Sequence, residues 1–172
     1  MTEQDKTIEV NDLSKSFGKT KAVQNVTFSV KKGRITGLLG PNGAGKTTTI
    51  RMINYIIPID QGSITINGQK VSAKTQKMIG YMPEERGLYK KMKVGEQLIY
   101  LAQLKGMNVS DAKTQIRYWL DRFGASDWHL KTVGELSKGM SQKIQFIATI
   151  VHDPEIYIFD ELYLYQRTND TL

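Results

Sequence analysis

Residues 40–47 read Gly-Pro-Asn-Gly-Ala-Gly-Lys-Thr, and this stretch decides the class of fold. An apolar run precedes it at residues 35–39, and a run compatible with a helix follows it at residues 48–53. The spacing G-x-x-x-x-G-K-[ST] is that of the phosphate-binding P-loop. The sequence therefore predicts a buried strand over residues 34–39, then a glycine loop, then the first turn of a helix.

The chemistry of this loop suits the phosphates of a nucleotide. Glycines let successive backbone N–H groups face inward and form a nest for an anion. A helix that begins near Lys46 directs its free N–H groups and its positive dipole end at the same place. Lys46 adds a cation for the outer phosphates, and the hydroxyl of Thr47 is a ligand for Mg²⁺. The alternative is a glycine turn followed by a chance lysine, which the flanking strand and helix disfavour.

The composition is ordinary for a soluble globular protein, with 172 residues, 40% of them hydrophobic and 24% charged. No apolar run approaches the ~20 residues of a membrane span, and the polar N-terminus is not a secretory signal. The absence of cysteine excludes a disulfide framework and a thiolate metal site, and it suits a reducing cytoplasm. The net charge of +7 suits a polyanionic ligand, an anionic membrane face or nucleic acid, and equally a solvated basic surface.

The first third of the chain mixes strands with the P-loop helix. Alternating residues predict strands over 7–11 and 26–30, with a turn over 13–19 between them. Residues 62–71 have the pattern of a hairpin, with Asn67-Gly68 at a type I′ turn. We therefore expect an antiparallel β portion beside the P-loop strand and helix.

The P-loop helix is expected to stop at Pro58. Further along the chain, in its second half, the pattern becomes helical again. From residue 94 to about residue 151 apolar residues recur at helical spacing, with the first two helices of this stretch ending at Gly106 and Gly124. Ser110 is expected to cap the second of these helices.

Two acidic residues follow a buried apolar strand predicted over residues 156–159. Asp160, at the carboxyl end of this strand, can hold Mg²⁺ opposite Thr47, directly or through water. Glu161 comes next, and a carboxylate there can orient and deprotonate an attacking water. The alternative is a pair of solvated acids at a strand end, which the P-loop upstream disfavours.

Residues 136–140, lying between the P-loop and the Asp-Glu pair, give the chain a resemblance to the ATP-binding subunit of ABC transporters. The family signature is Leu-Ser-Gly-Gly-Gln before a helix, and the chain has Leu136-Ser137-Lys138-Gly139-Met140. Ser137 and Gly139 match, whereas Lys138 and Met140 replace a glycine and the glutamine. Taken alone, Ser-x-Gly before a helix is also a routine N-cap. The resemblance implies that two such domains dimerise head to tail, so that the signature of one closes over the ATP held by the P-loop of the other.

Other positions take a role only from this resemblance. Phe17 lies where the family has an aromatic residue that stacks on adenine, and burial in the core is its alternative. Glu84 lies where the family has the glutamine of its Q-loop, and Gly134-Glu135 resembles the linker that senses the membrane subunit. The run 83–89, with the signature variant, looks most like the bacterial sodium- or drug-efflux subgroup. With the P-loop residues derived above, the predicted ATP-binding residues are Phe17, Gly40, Pro41, Asn42, Gly43, Ala44, Gly45, Lys46, Thr47, Thr48 and Glu84. The predicted catalytic residues are Lys46 and Glu161, and the predicted metal ligands are Thr47 and Asp160.

Four further residues are predicted to be structural. His129 and His152 do not match the switch histidine of the family, so we interpret both as surface or packing residues. Trp119 and Trp128 are expected in the core of the helical part.

The resemblance implies an α/β fold of the P-loop NTPase class, ABC type, with an antiparallel β portion, a mostly parallel core sheet and a helical subdomain. One domain is expected over residues 1–172. Its core subdomain covers about 1–83 and 153–161, its helical subdomain about 84–152, and residues 162–172 form a divergent tail. The family motifs stop after Glu161, so the C-terminal part of the core is expected to be missing. A frameshift just after Glu161 is one hypothesis for this, and the resulting chain would bind ATP weakly and hydrolyse it poorly.

The resemblance finally implies a function, which is to bind and hydrolyse ATP with Mg²⁺ and so drive export. The expected partners are an integral-membrane permease and a second ATP-binding subunit, with no nucleic acid. The expected location is the cytoplasm, peripheral on the inner face of the membrane. One alternative is an incomplete fragment with little or no ATPase activity. Another is a soluble ABC-type ATPase acting on nucleic acid or the ribosome. The positive charge gives this second alternative mild support, and the lack of a second ABC module or a coiled-coil insert argues against it.

Overall fold

The computed structural model describes residues 6–84 and 87–160. The chain divides into two compact units, one extending to Ile79 and the other beginning at Gly80. No helix in the described ranges is both long enough and apolar enough to cross a membrane. The division of the chain into a core subdomain and a helical subdomain stays a prediction.

The first unit is built on an antiparallel sheet. Its strands are β1 (Lys6–Phe17), β2 (Thr20–Lys31), β3 (Gln61–Ile66) and β4 (Gln69–Lys70), in the order β2-β1-β3-β4. Helix α1 (Lys46–Ile53) and the short helix α2 (Ala73–Gln76) complete the unit. The sheet confirms the predicted antiparallel β portion, and Asn67 and Gly68 have φ of 47° and 74°, as the predicted type I′ turn requires.

The turn predicted over residues 13–19 is wrong for most of its length. β1 continues to Phe17, and the turn is confined to Gly18 and Lys19. The pairing with β2 shifts register between Val10 and Leu13, and Asp12 takes a φ of 46° in this interval. Such an irregularity inserts residues without ending the strand. The side chain of Leu13 is thereby returned to the buried face of the sheet.

The buried strand predicted over residues 34–39 is also wrong. These residues form no regular element, and the side chains of Ile35 and Leu39 are almost fully exposed. A strand forms only where a neighbour satisfies its backbone N–H and C=O groups. No strand within residues 6–84 and 87–160 pairs with this segment. An apolar run alone therefore did not suffice to make a strand.

Helix α1 ends at Ile53, before the predicted stop at Pro58. Tyr55 adopts a left-handed conformation with φ 55°. The N–H of Ile56 donates to the carbonyl of Arg51, and the N–H of Tyr55 donates to that of Met52. This pair of bonds is the Schellman motif, which satisfies the last carbonyls of a helix. The helix is thus terminated by its own cap, ahead of the proline.

Within residues 79–84 and 87–160, two strands and three α-helices follow the first unit. The strands are β5 (Ile79–Met82) and β6 (Ile156–Phe159), which pair with each other. The helices are α3 (Val94–Leu104), α4 (Val109–Arg122) and α5 (Lys138–Ile150). Two short 3₁₀ segments, Ser126–Leu130 and Val133–Glu135, join α4 to α5. The helices pack around one apolar cluster, whose most buried members are Val94, Leu98, Ala102, Ala112, Ala125, Ile144 and Ile147.

Most of the helical pattern is confirmed. Trp119 and Trp128 pack against the apolar cluster as predicted, each partly buried. The cap assigned to Ser110 is wrong, because the side chain of Asn108 accepts the hydrogen bond from the backbone N–H of Asp111. Ser110 instead lies in the first turn of α4. Either residue type is a good N-cap, so propensity alone did not separate them.

Strand β6 is only partly buried, contrary to the prediction. Ile156 is buried, but Tyr157 is 48% exposed, and Ile158 and Phe159 are intermediate. β6 belongs to a two-stranded sheet among the described residues, so its side chains are covered on one face more than on the other. Tyr157 stacks on Phe159 along the strand, with ring centroids 6.5 Å apart.

Gly80 lies so close to Thr149 and Pro154 that it has no room for a side chain. A Cβ at this position would lie 2.5 Å from the carbonyl oxygen of Thr149 and 2.8 Å from Cγ of Pro154. Gly80→Ala should therefore force a backbone shift and lower the free energy of unfolding by about 1–3 kcal/mol. Urea unfolding followed by circular dichroism measures this. Gly87→Ala is the matched control, because a Cβ at Gly87 meets nothing within 4 Å. Equal stability of the two variants would contradict the prediction.

Candidate nucleotide-binding site

The P-loop folds as a compact turn against the start of α1. The N–H of Ala44 donates to the carbonyl of Pro41 at 3.2 Å, and Gly43 and Gly45 take φ of 81° and 83°. Positive φ is accessible to glycine at no steric cost, which explains the residue type at both positions. Helix α1 begins at Lys46, which confirms the predicted start of the helix.

Gly45 meets a second constraint besides its φ angle. A Cβ there would lie 2.3 Å from the carbonyl oxygen of Ala22 and 3.0 Å from Cγ2 of Val23. Strand β2 therefore backs directly onto the loop. Only a residue without a side chain lets the loop approach β2 this closely and still enter the helix.

The N-terminus of α1 is suited to an anion. Its N-cap, Gly45, has no side chain to accept from the first helical N–H groups, and the first turn holds no acidic residue. The helix dipole therefore adds to a local excess of N–H donors. The Lys46 ammonium donates to the carbonyls of Gly40 and Pro41 at 2.8 and 2.9 Å. The cation is thus held against the loop that the motif assigns to phosphate.

Phe17, the predicted adenine platform, lies at the end of β1 and is 52% exposed. Burial in the core, its alternative, is therefore not what the structure shows. The ammonium of Lys15 lies 5.5 Å from the centroid of the Phe17 ring, a cation–π distance. Lys15 is itself paired with Asp60 at 2.6 Å. The stacking of adenine on Phe17 stays a prediction.

Asp60 is a residue that the sequence analysis missed. Its two carboxylate oxygens accept from the ammonium of Lys15 at 2.6 Å and from the backbone N–H of Ser16 at 2.8 Å. These donors, first of all Lys15, hold the pKa of Asp60 below its ordinary value. Nothing in the local pattern around residue 60 marks this role, because its partners lie 44 and 45 residues earlier in the chain.

Asp160, a predicted metal ligand, lies in the second unit at the end of β6 and is 5% exposed. Its Oδ2 accepts from the hydroxyl of Tyr81 at 3.2 Å, and its backbone N–H donates to the carbonyl of Met82 at 3.0 Å. Thr47 lies in the first unit, so the pairing of the two residues around Mg²⁺ stays a prediction. Glu161 lies outside the described residues.

The chemistry of the predicted donors fits Mg²⁺. No group of three or more His, Cys, Asp or Glu in the described part of the chain is placed to hold a metal ion. Mg²⁺ bound with a nucleotide needs no such group, because phosphates and waters fill most of its coordination sphere and one or two protein oxygens suffice. The hydroxyl of Thr47 and the carboxylate of Asp160 are hard oxygen ligands of this kind.

The signature residues lie at the start of α5. Ser137 is the N-cap, and its hydroxyl accepts from the backbone N–H of Met140 at 3.2 Å. Lys138 and Gly139 are exposed, and Met140 packs partly buried against the apolar cluster. The structural alternative for this stretch, an ordinary N-cap, is therefore confirmed. Its action on the nucleotide of a partner stays a prediction.

The segments around the signature are held by hydrogen bonds within residues 132–135 and by hydrogen bonds to distant residues. Thr132 donates to the carboxylate of Glu135 from its backbone N–H at 2.6 Å and from its hydroxyl at 2.7 Å, which lowers the pKa of Glu135. The N–H of Gly134 donates to the carbonyl of Lys90 at 2.8 Å. Glu84 is exposed, and the carbonyl of its neighbour Pro83 accepts from the buried side chain of Gln145 at 3.0 Å.

A family model described as "ABC transporter" matches residues 23–163. The chain belongs to the ABC transporter family. It is 49% identical over 154 residues to the uncharacterized ABC transporter ATP-binding protein YhaQ of Bacillus subtilis, covering 90% of this chain and 52% of that protein. It is 36% identical over 157 residues to the linearmycin resistance ATP-binding protein LnrL of the same species, covering 90% and 50%.

A solved structure described as the ATP-binding subunit of an ABC transporter has the same fold. Its TM-score is 0.82 at 31% identity, and the match covers 92% of this chain and 67% of that one. This similarity confirms the predicted class, an α/β P-loop fold of the ABC type. The chain spans about half the length of these two curated relatives.

The bonds of Asp60 predict how stability depends on pH. Because its pKa is lowered in the folded chain, its contribution is present above the ordinary aspartate value of about 3.9 and is lost as the pH falls through the lowered pKa. Asp60→Asn should therefore have a lower free energy of unfolding than the wild type at neutral pH. This difference in free energy should narrow as the pH falls below about 4. Urea unfolding at a series of pH values measures the gap.

Lys15→Met provides the control for this experiment, because it removes the first of the two donors to Asp60. In the Lys15→Met background, Asp60→Asn should change both stability and its pH dependence less than in the wild type. A gap between wild type and Asp60→Asn that stays constant from neutral to acid pH would contradict the prediction.

Proposed function

We propose that the chain binds MgATP through its P-loop and serves as the energy-coupling, ATP-binding subunit of an ABC transporter. The observation that carries this proposal is the P-loop at the start of α1. Gly45 brings the loop against β2, and Lys46 is held on the carbonyls of Gly40 and Pro41. An anion at this position is stabilised by backbone N–H groups, a helix dipole and an ammonium together.

In this proposal each predicted residue keeps its role. Residues 40–48 bind the phosphates, Phe17 stacks on adenine, and Thr47 and Asp160 hold Mg²⁺. Glu161 acts as the general base that prepares water for attack on the terminal phosphate, and Glu84 contacts the metal. Ser137, Lys138, Gly139 and Met140 close over the ATP of a second ATP-binding subunit. The exposure of residues 137–139 supports this last role, because a partner can reach them.

The partner chemistry follows from the family and is part of the proposal. The chain would work with an integral-membrane permease at the inner face of the cell membrane, and the permease would choose the substrate. Export is the proposed direction, supported by the similarity to a relative named for linearmycin resistance. The sodium- or drug-efflux subgroup inferred from residues 83–89 agrees with that direction.

A second candidate is a chain that binds ATP but hydrolyses it slowly. One observation favours it, namely that residues 34–39 form no strand in the described structure. The strand that leads into a P-loop fixes where the loop points, and catalysis by charge stabilisation needs donors held in place before the reaction. Binding tolerates more movement than hydrolysis does. Steady ATP turnover by the purified chain that disappears in Glu161→Gln would exclude this candidate.

Lys46→Ala tests the proposed nucleotide site. Loss of a charged hydrogen-bond donor costs about 1.5–3 kcal/mol, so the Kd for MgATP should rise about ten- to hundredfold. Isothermal titration calorimetry on the purified chain measures the Kd. Lys113→Ala, which removes the same charge from an exposed position on α4, is the matched control and should bind as the wild type does. Equal affinity of the Lys46→Ala variant and this control would reject the site.

A further inference from the structure

A side-chain hydrogen bond joins Tyr81 to Asp160, and a backbone bond joins Asp160 to the residue after Tyr81. The Tyr81 hydroxyl donates to Oδ2 of Asp160 at 3.2 Å. The backbone N–H of Asp160 donates to the carbonyl of Met82, the residue after Tyr81, at 3.0 Å. The same strand, β5, therefore holds the backbone of Asp160 and contacts its carboxylate. Tyr81 has no role in the P-loop, the signature or any other motif of the sequence analysis.

Strand β5 is itself anchored on both sides of Tyr81. Before it, Gly80 lies so close to the carbonyl of Thr149 that no Cβ fits between them. After it, the carbonyl of Pro83 accepts from the buried side chain of Gln145 at 3.0 Å. The backbone on either side of Tyr81 is therefore held by specific contacts. From this anchored position the Tyr81 hydroxyl donates to the Asp160 side chain.

A fixed donor at one oxygen matters for a carboxylate that binds a metal. The terminal torsion of aspartate is broad, so the carboxylate plane is poorly defined by its own rotamer preference. A hydrogen bond to Oδ2 selects one orientation of that plane and so the direction of both oxygens. Loss of such an outer contact to a metal ligand typically lowers metal affinity by about 10- to 100-fold.

We propose that Tyr81 is a positioning residue that orients the Asp160 carboxylate for the Mg²⁺ of the bound nucleotide. This inference rests on the proposed function, in which Asp160 holds that metal. Tyr81 does not touch the nucleotide in this scheme and acts through Asp160 alone. The competing explanation is that Tyr81 contributes only packing to the β5–β6 pair, in which case its hydroxyl is dispensable for the metal.

Tyr81→Phe separates these explanations, because it removes the hydroxyl and keeps the ring. The affinity for ATP is measured by calorimetry in EDTA and then at increasing Mg²⁺, and the Mg²⁺ concentration that gives half of the affinity gain is recorded. In Tyr81→Phe this concentration should rise about tenfold or more. Affinity in EDTA should match the wild type, because Tyr81 does not touch the nucleotide. If Tyr81 contributes only packing, the ring that Tyr81→Phe keeps is sufficient and the Mg²⁺ dependence stays unchanged.

Two further variants sharpen the test. Tyr157→Phe is the matched control, because it removes a hydroxyl from the paired strand β6. Tyr157 is 48% exposed, and the hydroxyl that donates to Asp160 is that of Tyr81, so this variant should leave the Mg²⁺ dependence unchanged. In an Asp160→Asn background, Tyr81→Phe should have no further effect on the Mg²⁺ dependence, because residues that act as a unit are not additive.

The outcomes are distinguishable. Wild-type Mg²⁺ dependence in Tyr81→Phe, or an additive effect in the double variant, overturns the role of Tyr81 while leaving the nucleotide site intact. A wild-type chain that binds no ATP overturns the proposed function, and the inference falls with it.

Discussion

The close approach of Gly45 to strand β2 is the constraint on which the candidate site depends. With the carbonyl of Ala22 only 2.3 Å from where a Cβ would be, no other residue lets the loop turn into α1 at this place. The start of α1 then fixes where its free N–H groups point and where Lys46 begins. The ammonium of Lys46 reaches back to two loop carbonyls, so the cation and the helix dipole act on the same small region.

In the second unit, strand β5 and the residue after it hold Asp160 in place. Residues 80–83 each make one specific contact. Gly80 allows the close approach to Thr149, Tyr81 binds the carboxylate of Asp160, Met82 binds its backbone, and Pro83 accepts from Gln145. Residues 80–83 therefore contact both α5 and the residue proposed to hold the metal.

In the first unit, the charged side chains of Lys15 and Asp60 hold the end of β1 in place. The ammonium of Lys15 contacts both the carboxylate of Asp60 and the exposed ring of Phe17, two residues further along β1. The ion pair is partly buried, with the Lys15 side chain 9% and the Asp60 side chain 42% exposed. Here the same carboxylate also accepts from the backbone of Ser16, which defines the conformation of the residue just before Phe17.

The amino-acid sequence by itself determined the features that arise within a few residues. The G-x-x-x-x-G-K-[ST] spacing predicted the loop and the start of α1, Asn67-Gly68 predicted the hairpin turn, and Ser137 predicted the cap of α5. Each follows from the backbone preference or hydrogen-bonding reach of the residues themselves. Where two local candidates were equivalent, as with Asn108 and Ser110, the sequence did not distinguish them.

Only the tertiary structure decided the contacts between distant residues. Tyr81 and Asp160 are 79 residues apart, and Lys15 and Asp60 are 45 apart, so no local pattern could pair them. The same reason explains the strand predicted over residues 34–39, whose apolar pattern was right for a strand but whose backbone lacks a paired strand among the described residues. A strand and an oriented carboxylate both depend on a hydrogen-bonding partner, and the position of that partner is set by the fold.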